Sequence, residues 1–287
     1  HEAIGRDRMQ KFGQGEHGAT LKPSAVAVDR GTMNTCPGPR EIAAARAALA
    51  MTDPRLARAQ AQTPVFEWRA RTGGFEGLLR MIVEQQVSVA SAAAIWERVR
   101  DGVGEITAER VLALDVEALR GFGLSRPKAR YGHEIARAQV EGRIDYDDMA
   151  RLDDAAAVAA LTAIKGVGRW TAETWLMFCD GRSDLFPGGD VALQEAMRWV
   201  DRAAARPSEK QAYARAEIWG PHRGIAAHLL WGWYGGVRRG EIAPEESRRD
   251  TDAQPGCDQP ADSAHPVPAG LCRGVGVRRH RGAGLCA

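Results

Sequence analysis

The chain has 287 residues, of which 44% are hydrophobic, and its 39 Lys plus Arg against 37 Asp plus Glu leave a formal net charge of +2. That composition supports a folded globular chain with a sizeable apolar core, and it excludes disorder as the main state. So even a charge balance excludes a molecule coated in positive potential, and any surface for a polyanion has to be local.

Residues 1 to 40 are rich in Gly, polar residues and isolated charges without a sustained apolar period, and they are expected to be disordered. They hold no hydrophobic signal core, so the expected location is intracellular and cytoplasmic. From 41 to 240 the pattern is helical almost throughout. Phe75, Leu78, Leu79, Ile82 and Val83 fall at i, i+3, i+4, i+7 and i+8, one apolar stripe on a helix. A polar interruption at Glu84 to Ser88 precedes a second helix through Ala92, Ile95, Trp96 and Val99. Further helical windows cover roughly 107 to 120, 126 to 140, 154 to 163, 168 to 179, 190 to 204, 208 to 218 and 222 to 236. No segment alternates with period two, so the expected fold class is all-α, built of about ten short helices. The longest nearly apolar run, Ile225 to Val237, falls short of the ~20 residues that cross a bilayer. Residues 241 to 287 mix Pro, Gly, Asp and Arg and are again expected to be disordered. The five cysteines, Cys36, Cys179, Cys257, Cys272 and Cys286, lack any C-x-x-C spacing, which excludes a zinc ribbon and an iron–sulfur loop and fits a reducing compartment.

Four features carry chemistry. From Leu161 to Glu173 a helix gives way to Gly166-Val167-Gly168 and a new helix begins. Two glycines let the backbone turn tightly and approach another surface, Val167 pins the turn to the core, and free N–H groups with Lys165 and Arg169 alongside suit a phosphate. A plain corner between two helices is the alternative. Upstream, Gly121-Phe122-Gly123 is followed by Arg126, Lys128 and Arg130, with Arg120 just before; no acidic residue interrupts them, and the group is expected to extend a basic strip or to form a solvated helix face. Asp190 closes the loop Leu185-Phe-Pro-Gly-Gly at a helix start, where Asp is a common N-cap and where an anion would also be kept ionised beside developing positive charge. Eight tryptophans stand against four tyrosines, and Trp170, Trp175, Trp219, Trp231 and Trp233 share the half of the chain that holds these motifs. Trp96 and Trp199 are read as packing only. Trp is the ring best suited to stack on a base or to hold a cationic one.

Taken together these residues resemble the helix-hairpin-helix DNA glycosylases with a Gly/Pro-rich loop and a catalytic Asp, most closely the AlkA-type branch of 3-methyladenine DNA glycosylases. The resemblance runs from about 65 to 240 through five ordered motifs: Ile82 to Ala90, Gly123 to Lys128, Ile164 to Glu173, Phe186 to Asp190 and Trp219 to Ala226. It implies a domain over 41 to 240 made of two helical lobes with the active-site cleft between them. Asp190 is then the catalytic carboxylate, with Trp170 and Trp231 at the base pocket and Trp175 counted beside them. The hairpin, Lys165, Gly166, Val167, Gly168, Arg169 and Thr171, grips double-stranded DNA, and Gln86 lies in the loop that fills the hole left by the extruded base. No cofactor is implied beyond a Na⁺ or K⁺ held by the backbone carbonyls of Ile164 and Gly166. Relatives that also cut the strand place a Lys nucleophile where this chain has Trp170, which implies a monofunctional glycosylase; the resemblance further implies a monomer that acts on alkylated purines. The family often has Asp where this chain has Gly189. A glycosylase for an oxidised, deaminated or mismatched base, and a non-catalytic DNA-binding module, are the alternatives.

Overall fold

The structure is a computed structural model that describes residues 36–243, so the expectations of disorder at the two ends lie almost wholly outside the described residues. At the inner edges the chain is placed: the first helix already begins at Pro39, and Ile242 packs beneath Gly236. Among the described residues there are twelve α-helices and no strand.

The order is α1 (Pro39–Thr52), α2 (Pro54–Gln62), α3 (Gly74–Glu84), α4 (Val89–Val103), α5 (Ala108–Ala113), α6 (Val116–Gly121), α7 (Arg126–Val140), α8 (Asp154–Thr162), α9 (Arg169–Phe178), α10 (Val191–Val200), α11 (Glu209–Ala216) and α12 (Arg223–Arg238). Short polar residues set most starts. Ser88, Thr107, Asp115, Asp153, Asp190 and Ser208 each accept a backbone N–H from the first turn of the following helix, which satisfies donors the helix itself cannot. Asp115 divides the single window expected over 107 to 120 into α5 and α6, because its side chain accepts from Ala118 N and restarts the helix. Ser125 stands at the N-cap of α7 with Pro127 in the first turn.

The helices pack in two groups. One is the middle of the chain, where α7 lies against α3, α5 and α6, α4 lies on α3, and α9 lies on α3 and α8. Gly132 makes the α3 contact close, since a Cβ there would stand 3.2 Å from Leu79 Cδ1. The other group joins the two ends of the domain: α1 and α2 pack on α12, and α10 packs on α2, α11 and α12. The apolar stripe of α3 is buried as expected, and the buried side chains of both groups form one continuous core. The loop between α9 and α10 carries the chain from one group to the other and ends at Asp190.

Candidate active site

The loop that presents Asp190 is built from its own sequence. Phe186 is buried against the Trp219 ring, 5.5 Å between centroids, and anchors one end. Pro187 and the two glycines then turn the chain, with Gly188 N bonded to Phe186 O and Asp190 N to Pro187 O, both at 2.8 Å. Gln194 Nε2 reaches back to Gly188 O at 2.7 Å. Asp190 is the N-cap of α10, its Oδ1 accepting from Leu193 N at 2.9 Å.

The same carboxylate has two further donors, one from each helix group. Trp170 Nε1, on the first turn of α9, donates to Oδ2 at 2.9 Å, and Trp231 Nε1, on α12, donates to Oδ1 at 3.2 Å. All three residues are half-buried, so the carboxylate is fixed without being sealed from solvent. A carboxylate has about four lone-pair positions. Two donors on Oδ1 and one on Oδ2 leave Oδ2 an acceptor position for whatever enters.

Behind Trp231 lies an aromatic stack that the sequence reading missed. The His228 ring lies 4.1 Å from Trp68 and 5.6 Å from Phe66, roughly parallel to both, with the edges of Phe178 and Trp231 against it. Phe66 and Trp68 stand two apart in the segment between α2 and α3 and both meet the His228 ring; that apolar pair was the available signal. Burial pushes the His228 imidazole down to about 4, so it is neutral in ordinary conditions.

Other expectations need correction. Trp175 is not beside the pocket: it is 1% exposed in the core, with Nε1 on Gly74 O at 3.3 Å and its ring against Tyr146. Thr171 is buried too, and its Oγ1 accepts from Gln85 Nε2 at 3.0 Å instead of facing outward. The basic turn after α6 is not free of acid, because Glu117 pairs with both Arg120 and Arg126. Lys128 turns inward and donates to the carbonyls of Val83 and Gln85 at the end of α3.

The hairpin between α8 and α9 keeps Lys165 exposed and buries the side chains of Ile164 and Val167. Val167 can therefore offer only its backbone outward. Gly166 has φ +99° and its missing Cβ is replaced by the Tyr131 ring, 2.3 Å away. Gly168 has ordinary extended backbone, nothing within 4 Å of a Cβ, and as N-cap no side chain to take up the N–H groups of α9. Arg169 is 57% exposed at its side chain and bonds Glu173 at 2.9 Å. Gln86, exposed with φ +55°, forms the tip of the turn between α3 and α4.

Residues 79–221 match the model of the HhH-GPD superfamily base excision DNA repair protein. The chain is 33% identical over 161 residues to DNA-3-methyladenine glycosylase 1 of Schizosaccharomyces pombe, covering 55% of this chain and 71% of that one. Among solved structures it superposes on a DNA-3-methyladenine glycosidase of Bacillus halodurans with a TM-score of 0.60 and 30% identity, over 67% of this chain and 89% of that one. It also superposes on a 3-methyladenine DNA glycosylase of S. pombe in complex with abasic DNA, with a TM-score of 0.59 and 29% identity, over 66% of this chain and 95% of that one.

Proposed function

The chain belongs to the HhH-GPD superfamily of base excision DNA repair proteins, and from that premise we propose that it is a monofunctional DNA glycosylase that hydrolyses the N-glycosidic bond of alkylated purines, 3-methyladenine and 7-methylguanine, after flipping the base out of double-stranded DNA. The observation that carries the reading is the half-buried Asp190 carboxylate, held by Trp170, Trp231 and Leu193 N–H groups with one acceptor position still open. A monomer acting on DNA in the cytoplasm accords with it.

A purine alkylated at N3 or N7 already carries positive charge and leaves without being protonated. Glycosidases that expel an oxygen need a carboxylate pair for this reason; here one suffices. Asp190 stabilises the oxocarbenium-like sugar as the bond breaks, and its open Oδ2 position orients the attacking water. The indole faces of Trp170 and Trp231 suit a cationic base better than any Lys or Arg would. Trp170 also occupies the place where strand-cutting relatives carry an amine, and an indole nitrogen forms no Schiff base. The strand therefore stays intact. Flipping costs a few kcal/mol, least for a damaged base whose pairing is already weak.

At the hairpin, the exposed Lys165 and the free N–H groups of α9 suit a backbone phosphate. Ile164 O accepts from Val167 N at 3.1 Å and keeps a second lone pair, and among the described residues Gly166 O accepts nothing. These carbonyls fit a Na⁺ or K⁺, which would add positive charge facing that phosphate.

The test is release of free base from methylated duplex, with strand nicking followed in parallel. Asp190→Asn is expected to bind DNA as before and to lose base release by about 10²-fold or more. Normal release by that variant, or nicking by the parent protein without added heat or base, overturns the assignment.

A further inference from the structure

The hairpin helix and the Asp190 loop are joined by a buried polar link that the proposed chemistry does not use. Glu173, one turn into α9, is 2% exposed, and burial pushes its carboxyl up while Arg169 and Tyr213 hold it down. Arg169 Nε donates to Oε1 at 2.9 Å, and Tyr213 OH, on α11, lies 2.8 Å from Oε2 and 3.0 Å from Oε1. The Arg169 guanidinium also stacks over the Tyr213 ring at 4.1 Å. That ring is where a Cβ on Gly188 would fall, at 3.0 Å, so the loop two residues before Asp190 rests directly on it. The carboxylate of Glu209 lies beside the next residue, 3.5 Å from the place of a Cβ on Gly189.

A buried carboxylate is expensive and is a poor way to gain stability alone. Here it fixes one ring, and the ring supports the segment that presents the catalytic group. We propose that Tyr213 is a positioning residue for base release: held by Glu173 on the hairpin helix, it sets where the Gly188 to Asp190 segment stands. The inference rests on the reading of Asp190 above.

The experiment compares the parent protein with Tyr213→Phe and, as a second variant, Glu173→Gln. Three quantities are read: the single-turnover rate of 3-methyladenine release, Kd for a duplex with an abasic-site analogue, and amide hydrogen exchange over residues 186–194. Tyr213→Phe keeps the ring and removes the hydrogen bond to a charged group; release is expected to slow about ten-fold with Kd held within about two-fold. The amides of Gly188 and Asp190 exchange faster in both variants, and in an Asp190→Asn background Tyr213→Phe produces no additional slowing. Unchanged exchange, or a full loss added on top of Asp190→Asn, overturns the proposal. If exchange responds while the parent releases no alkylated base, the link stands and the assigned reaction is what fails.

Discussion

Gly166 and Gly168 share a motif and answer to different constraints. At Gly166 both the φ of +99° and the Tyr131 ring exclude a side chain. Gly166→Ala is expected to cost about 3 kcal/mol of stability through strain and overpacking, read as a shift in the urea midpoint. Gly168 has neither constraint, and the space beside it is open to a ligand such as the proposed duplex. Gly168→Ala is expected to leave stability within about 1 kcal/mol and to weaken duplex binding about ten-fold by fluorescence anisotropy, as a Cβ stands between the backbone and a phosphate. Residue-level legibility followed the same division. Asp190 and the glycine pair announce themselves because their spacing is local. Trp175 is not legible from its nearness to Trp170 in the sequence, because five residues along a helix turn a side chain by about 140°. Trp170 thereby faces the carboxylate while Trp175 faces the core.

At the level of elements, the turn between α3 and α4 depends on a residue from a third helix. Lys128 lies in the first turn of α7, the wrong end for a cation with respect to its own helix dipole. Its position makes sense only against α3, whose last carbonyls it caps at Val83 and Gln85. Burial lowers its ammonium pKa, the mark of a side chain recruited inward. Gln85 then bonds Thr171 on α9, so the tip at Gln86 is braced from two sides. Lys128→Met is expected to cost about 2 kcal/mol and to slow release from a paired lesion, while a lesion in an unpaired bulge, already out of the stack, is spared. Equal slowing on both substrates would assign Lys128 to folding alone. The sequence displays helix caps because they lie one turn from what they cap; Lys128 caps a helix more than forty residues away, and there it reads as one more member of a basic strip.

Across the whole molecule, the all-α class was plain from periodicity, whereas the joining of α1 and α2 to α10–α12 was not, since no local pattern encodes which distant helices meet. The aromatic stack sits in that long-range assembly, with Phe66 and Trp68 meeting His228 across more than 150 residues. Burial, assisted by Arg69 and opposed by the Gly224 carbonyl, depresses the His228 pKa from 6.5 to about 4. The unfolded chain therefore binds this proton first as the pH drops, so its contribution to stability is whole above pH 6.5 and is lost between there and pH 4. Between pH 7 and pH 5 the loss is about 2 kcal/mol. Urea titrations should show the parent losing that much more than His228→Leu over the same interval; parallel losses would mean that the ring titrates as if exposed.

The ion pairs have a consequence beyond stability. Arg120, Arg126 and Arg169, cations near the surfaces that would meet DNA, are partly neutralised by Glu117 and Glu173, on a chain whose total charge is only +2. Attraction to undamaged duplex grows with the number of phosphates neutralised, and each of these pairs weakens a cation that could add to it. For the glycosylase proposed, contact with intact DNA is expected to be brief, a patrol by many short landings in place of long slides, and a shallow salt dependence of binding to undamaged duplex is the measurement that checks it.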